Sequence, residues 1–293
     1  MTIVYTALAQ PLIDFLDTAK SDVSATSSSL NQNLLLGADY YGSLPRIITA
    51  NYGFDGYMGV PNLNGTDSAS QAAAYAAGIS WENLDPSLGA PSRAYYSGVG
   101  ANAFLATYGV AGNQADTIPV VFSSPVLAST LNPTDFRVTL NTGEVVTPIT
   151  ASYLPNLEFN ERQTVVVSGD WGNRLQPGET GARYPVTFSV VADDTPLTLV
   201  GPSGLVSAVG FSVNSLNPYI EGNGPRIVGA KLNAYSDLGE GAPAWSLSSV
   251  ANSGTDLFGS TVQYRVRIYT SAGFSPDGIG SILPTDYSRY FLI

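Results

Sequence analysis

Between residues 117 and 205 the chain is a succession of short runs whose apolar residues recur every second position, and this pattern limits the fold more than any other feature. Phe136-Arg-Val-Thr-Leu140 alternates strictly, so Phe136, Val138 and Leu140 share one face while Arg137 and Thr139 share the other. A period of two is the signature of a strand with one buried face. Asn141-Thr-Gly143 follows as a turn signal. Ile118–Phe122 also alternates, and Glu144–Pro148, Gln163–Ser168 and Pro185–Val191 continue the series of strand-like runs. After the turn Asp193-Asp194-Thr-Pro196 it resumes at Leu197–Val200. Strands punctuated by turns in this way predict a β-sandwich.

Ile118-Pro-Val-Val-Phe-Ser-Ser-Pro-Val126, followed by Leu131-Asn-Pro-Thr-Asp-Phe-Arg-Val138, resembles the opening of bacterial Ig-like domains of the surface-layer and adhesin type. Those domains begin with a valine-x-phenylalanine-serine-x-proline-valine strand and turn, then a polar turn and a phenylalanine-x-valine strand. The resemblance spans residues 117–200 and implies an Ig-like β-sandwich there. It informs fold more than function. Asn156-Leu-Glu-Phe-Asn-Glu-Arg162 departs from the family pattern as a short polar insertion.

Three regions are expected on either side of these boundaries. Residues 1–116 form a mixed helix and loop region holding 9 of the 17 Tyr. Leu8, Leu12, Phe15 and Leu16 predict an amphipathic helix over 8–20, with Pro11 in its first turn. A second helix is predicted from Ser68 to Ala77, started by Asp67 and stopped by Gly78. Residues 117–205 are the Ig-like sandwich. Residues 206–293 are a further β unit, either separate or completing the sandwich, with its clearest strands at Arg226–Leu232 and Thr261–Tyr269. In the latter, Val262, Tyr264, Val266 and Ile268 fall on one face, and Gln263, Arg265, Arg267 and Tyr269 on the other. Alternation of this kind predicts a buried apolar face and a polar outer one.

Composition narrows the chemistry. The 293 residues contain no Cys and no His, which removes disulfides, thiolates, imidazole metal ligands and Ser-His-Asp catalysis together. Charged residues make up only 12%, about half the usual share, so Ser, Thr, Asn, Gln and Gly must keep the surface wet. The net charge is −11, with Lys only at Lys20 and Lys231. A nucleic-acid binder needs a basic stripe to displace counterions from phosphates, and none is present. No run of about 20 apolar residues predicts a membrane span. The first residues lack the basic start of a cleaved signal, so export without one is expected. The acidic, Cys-free chain with an apolar end at Tyr290-Phe-Leu-Ile293 resembles substrates of bacterial one-step export, although the glycine-rich calcium repeats of many of those proteins are missing.

Carboxylates are then the chief ionisable groups left for a site. Asp116, Asp193, Asp194, Asp237, Glu240 and Asp277 are expected in loops between or beside strands. Calcium takes six to eight oxygens from carboxylates and carbonyls on turning backbone, and such loops supply them. Plain solvation is the competing reading. Tyr40, Tyr41, Tyr52, Tyr57, Trp81, Tyr95 and Tyr96 would stack on sugar rings or pack against a partner. Nearby Asp39, Asp55, Glu82 and Asp85 could contribute a hydrolytic carboxylate pair. Glu158, Glu161, Arg162 and Asp170 suggest an ion-pair network around a strand start.

The leading functional expectation is a secreted or cell-surface structural protein, adhesin-like, with itself as partner in a homo-oligomer or filament. An extracellular carbohydrate-binding protein is the alternative. A calcium-assisted glycan hydrolase or lyase is the third.

Overall fold

In a computed structural model, the structure describes residues 42, 44–51, 58–79, 81–83, 94–95, 98–154, 156, 161–173, 175–201, 203–217, 220–234, 259–272 and 287–292. The expected helix over 8–20 lies outside them. The described part is mainly β, with several antiparallel sheets and a few short helices.

The first elements are β1 (Ile47–Ala50), β2 (Met58–Val60), α1 (Ser68–Ala76), β3 (Glu82–Asn83), β4 (Ala94–Tyr95), β5 (Val99–Gly100) and α2 (Ala101–Tyr108). The alternating region supplies β6 (Asp116–Phe122), β7 (Phe136–Leu140), β8 (Val145–Val146), β9 (Thr150–Ser152), β10 (Thr164–Gly169) and β11 (Pro185–Val190). Then come β12 (Thr198–Gly201), β13 (Gly204–Ser207), β14 (Ser212–Asn214), β15 (Ile227–Ala234), β16 (Tyr264–Thr270) and α3 (Tyr287–Tyr290).

Two four-stranded sheets dominate, in the orders β1-β6-β10-β9 and β14-β11-β7-β8. Every pairing in them is antiparallel. One core draws on both: Ile118, Val120, Phe122, Val165 and Val167 from the first sheet meet Phe136, Val138, Leu140, Phe188 and Val190 from the second. Full burial of each such side chain contributes about 1.5–3 kcal/mol, so this cluster supplies much of the stability that other Cys-free chains must also find in packing. Phe136 and Phe188 meet with ring centroids 5.3 Å apart. Pro119 lies one residue past Val120, the last β6 partner of β1. At the end of that pairing among the described residues, a residue without an N–H is tolerated.

The sheets reach beyond residues 117–205 on both sides. β1 lies within 1–116 yet pairs with β6, and Ile47 and Ala50 enter the shared core. β14, within 206–293, pairs with β11. The hairpin of β12 and β13 closes the core from one end: Leu199 pairs with Val126, and Val200 N–H donates to the Pro125 carbonyl at 2.7 Å.

Between β1 and β6 the chain builds two small clusters. The Asp67 side chain accepts from Ser70 N–H at 2.7 Å, which starts α1 where the capping pattern predicts, and Gly78 takes φ +74 just past the end. Val60, Leu63, Ala74 and Ile79 pack beneath it. Phe104 of α2 packs with Met58 and Ala115 and meets Tyr108 one turn on, at 4.8 Å. At the start of α2, Gly100 backs directly onto the Leu63 carbonyl, where a Cβ would sit 1.7 Å from its oxygen.

Candidate functional site

Three places merit attention as sites: the acidic turns, the aromatic region, and the junction that seats the β15–β16 hairpin. The acidic turns are built as local backbone supports. Asp193 Oδ1 accepts from Thr195 N–H at 2.8 Å, and its Oδ2 accepts from the Thr134 hydroxyl at 2.5 Å. This locks the turn before β12 onto the short 3-10 turn Pro133–Asp135. Asp194 beside it is exposed. Asp116 is no loop residue: it is buried in the first position of β6, opposite Gly169. Asp237, Glu240 and Asp277 lie outside the described residues. Among the described residues no three acidic side chains come together to hold a metal ion.

A further carboxylate, Asp135, carries the most perturbed acid–base chemistry. It is fully buried, and its Oδ2 accepts from Asn132 N–H at 2.7 Å. Burial, with the nearby Asp193 charge as a lesser cause, pushes its pKa up to about 7, against backbone hydrogen bonding that pulls it down. The Pro-Thr-Asp turn signal marks its place in the sequence. Its burial has no local signal, because the Asp193 charge and the Leu197 backbone beside it lie far along the chain.

Of the aromatics proposed for a sugar or partner, Tyr40, Tyr41, Tyr52, Tyr57 and Tyr96 lie outside the described residues. Trp81 packs half-buried against the Val60–Leu63–Ala74–Ile79 cluster. Tyr95 is placed through its backbone, opposite Glu82 in the β3–β4 pair. Of the carboxylates considered with them, Asp39, Asp55 and Asp85 are also outside the described residues.

The charged residues near the polar insertion separate into two devices. Asp170 joins Arg183, at 2.8 Å, and Arg183 also reaches Glu144 at 3.1 Å, an exposed clamp between the β8 turn and the loop before β11. Arg162 goes inward instead. Its guanidinium lies 4.5 Å above the Tyr153 ring, and both side chains are buried. Tyr153 donates its hydroxyl to the Val126 carbonyl at 2.6 Å. Burial pushes the Tyr153 pKa up and the Arg162 pKa down. Glu158 lies outside the described residues.

Next in sequence to Arg162, Gln163 donates from Nε2 to the Tyr269 hydroxyl at 2.9 Å within buried surroundings. Glu161 lies 3.9 Å from Arg267. Asn51, after β1, donates to the Ser271 carbonyl at 2.7 Å. These contacts seat β16 by its Arg and Tyr269 face. The row expected inside is therefore outside: Tyr264 is 65% exposed, Val266 44% and Ile268 36%. Their neighbours across the hairpin, Leu232 opposite Val266 and Ala230 opposite Ile268, are exposed as well.

The chain matches no protein-family model, no curated protein and no solved structure.

The amphipathic expectation for β16 is thus corrected, and the reason is what the two rows can bond. The inner row holds Tyr269, which buries a ring and still finds Gln163 for its hydroxyl, and Arg267, which finds Glu161. A polar row with partners can be buried. What remains outside is a charge-free apolar strip on a sheet of two strands that pair only with each other among the described residues.

Proposed function

We propose that this chain is a secreted or cell-surface structural protein, an adhesin-like subunit that self-assembles through a scaffold of the Ig-like β-sandwich type. One observation carries this reading. Taking β1, β6, β7, β8, β9, β10, β11 and β14 in chain order as strands A, B, C, C′, D, E, F and G, the two sheets read A-B-E-D and G-F-C-C′. That is the strand order of an immunoglobulin-type sandwich with one extra strand beside C. The shared core of the two sheets fits the same arrangement. The Ig-like resemblance of residues 117–200, the low charge and the many Tyr, Asn and Gly residues all suit an outward-facing building block.

The function is inferred from fold and surface, so the assembly state tests it first. The purified chain should form oligomers or filaments in negative-stain images and in sedimentation. A monodisperse monomer that binds a single oligosaccharide on a glycan array would support the carbohydrate reading instead. Calcium supplies no step of this proposal: Asp193 supports its own turn, Asp116 is buried in β6, Asp194 is exposed, and Asp237, Glu240 and Asp277 lie outside the described residues.

A further inference from the structure

We infer that the outer face of the β15–β16 hairpin is a self-association surface, which a second copy of this chain covers in a two-fold, face-to-face pairing. The inference rests on the assembling-subunit reading and names the surface that serves it. The face is built from Ala230 and Leu232 on β15 and from Tyr264, Val266 and Ile268 on β16, all exposed and all without charge.

Three physical features select a second copy as the occupant. The first is area. These side chains present on the order of 500 Å² per copy, so a pair buries about 1,000 Å², the threshold that a specific though weak interface must clear. A monomer gains nothing from leaving so continuous an apolar strip in water.

The second is electrostatic. Residues 226–234 and 264–272 contain Arg226, Lys231, Arg265 and Arg267, four of the 12 cations of the chain, and none of its 23 carboxylates. The remainder therefore holds 8 cations against 23 carboxylates and repels its own copies. Lys231, Arg265 and Arg267 fall on the row opposite the apolar one and are half-buried. Behind the apolar strip, their charge offsets the acidic body. The hairpin is thus a carboxylate-free stretch of a chain of net charge −11, and no acidic side chains of these two segments meet across the pairing.

The third is shape. Two strands that pair only with each other among the described residues offer a strip one hairpin wide, and a two-stranded sheet is marginal until its free face is packed. A two-fold rotation about the Leu232–Val266 pair lays the strip on the identical strip of a second copy, apolar against apolar. Sheets packed in this way lie about 10 Å apart with their side chains interleaved.

The test uses the full chain and the double substitution Leu232→Lys with Val266→Lys, with Val145→Lys, at an exposed apolar position of β8, as control. Sedimentation should show a reversible, concentration-dependent dimer for the unmodified chain and for the control. The double variant should weaken dimerisation at least tenfold and, at concentrations where both chains are monomeric, keep the thermal midpoint of the unmodified chain. Because the chain has no Cys, Leu232→Cys alone provides a second readout that does not depend on the lysines folding well. A short bismaleimide should join two copies through it, and Val145→Cys should not be joined. If assembly persists at full strength in the double variant and the Leu232→Cys chain is not cross-linked, the hairpin pairing is overturned while the assembly reading stands. If the unmodified chain stays monomeric, both are overturned. The pairing is equally overturned by a monomer that instead partitions onto neutral phosphatidylcholine vesicles through this face.

Discussion

At the scale of single residues, the described interior tolerates polar groups where the backbone is arranged for them. Gly169 is one such place in reverse: it has no side chain because the Trp171 ring occupies the space, with a Cβ there only 2.2 Å from the ring. Asp135 is the residue whose chemistry should be measurable. Its pKa, held near 7 by burial, lies above the ordinary value of 3.8 that it recovers on unfolding. The folded state therefore binds this proton more tightly than the unfolded state. Its contribution is greatest below about pH 4 and is lost as the pH rises through about 7. We expect Asp135→Asn to flatten the stability curve between pH 4 and pH 8 and to raise stability at pH 8 by on the order of 2 kcal/mol. Urea melts at a series of pH values check this, and an unaltered slope in the variant would refute it. The polar turn at Asn132-Pro-Thr-Asp135 was expected from the family resemblance of Leu131–Val138. The burial of its carboxylate was not, because it depends on elements some 60 residues later in the chain.

Among elements, the strands of the alternating region were the most readable part of the fold. Ile118–Phe122, Phe136–Leu140 and Pro185–Val191 coincide with β6, β7 and β11 to within a residue or two. The short strands β9 and β14 carried no comparable signal, since three residues cannot establish a period and their pairing is set by β10 and β11. β16 shows the opposite failure: its alternation was plain, but alternation identifies two faces and not which one meets the protein. That choice was made by Gln163, Glu161 and Asn51. Tyr269→Phe should therefore loosen the hairpin without unfolding the sheets, because it leaves the buried Gln163 amide without its hydroxyl partner at a local cost of about 1–3 kcal/mol. Hydrogen exchange is the measurement. Amides of 227–234 and 264–270 should exchange faster while those of β6 and β10 keep their protection. Equal acceleration everywhere would mean that the hairpin and the sheets open as one unit.

Taken whole, the molecule combines an apolar two-sheet core with a surface of low charge density and a net charge of −11. Copies should repel at long range and attract at short range through apolar surface. Added salt should therefore strengthen association: raising sodium chloride from about 20 mM to about 0.5 M shortens the screening length severalfold and should lower the dimer dissociation constant severalfold. Sedimentation equilibrium at both salt concentrations reads this out, and weakening by salt would point to ion pairs holding the copies together. Local pattern was enough to specify a β-rich chain without thiol or imidazole chemistry, with strands between residues 117 and 205, because strand periodicity, turn residues and composition are properties of neighbours along the chain. Long-range packing specified the rest. It drew β1 and β14 into the two sheets, buried Asp116 and Asp135, and turned the apolar row of β16 outward. Each of those outcomes depends on which distant residues can satisfy a hydrogen bond, balance a charge or cover a ring.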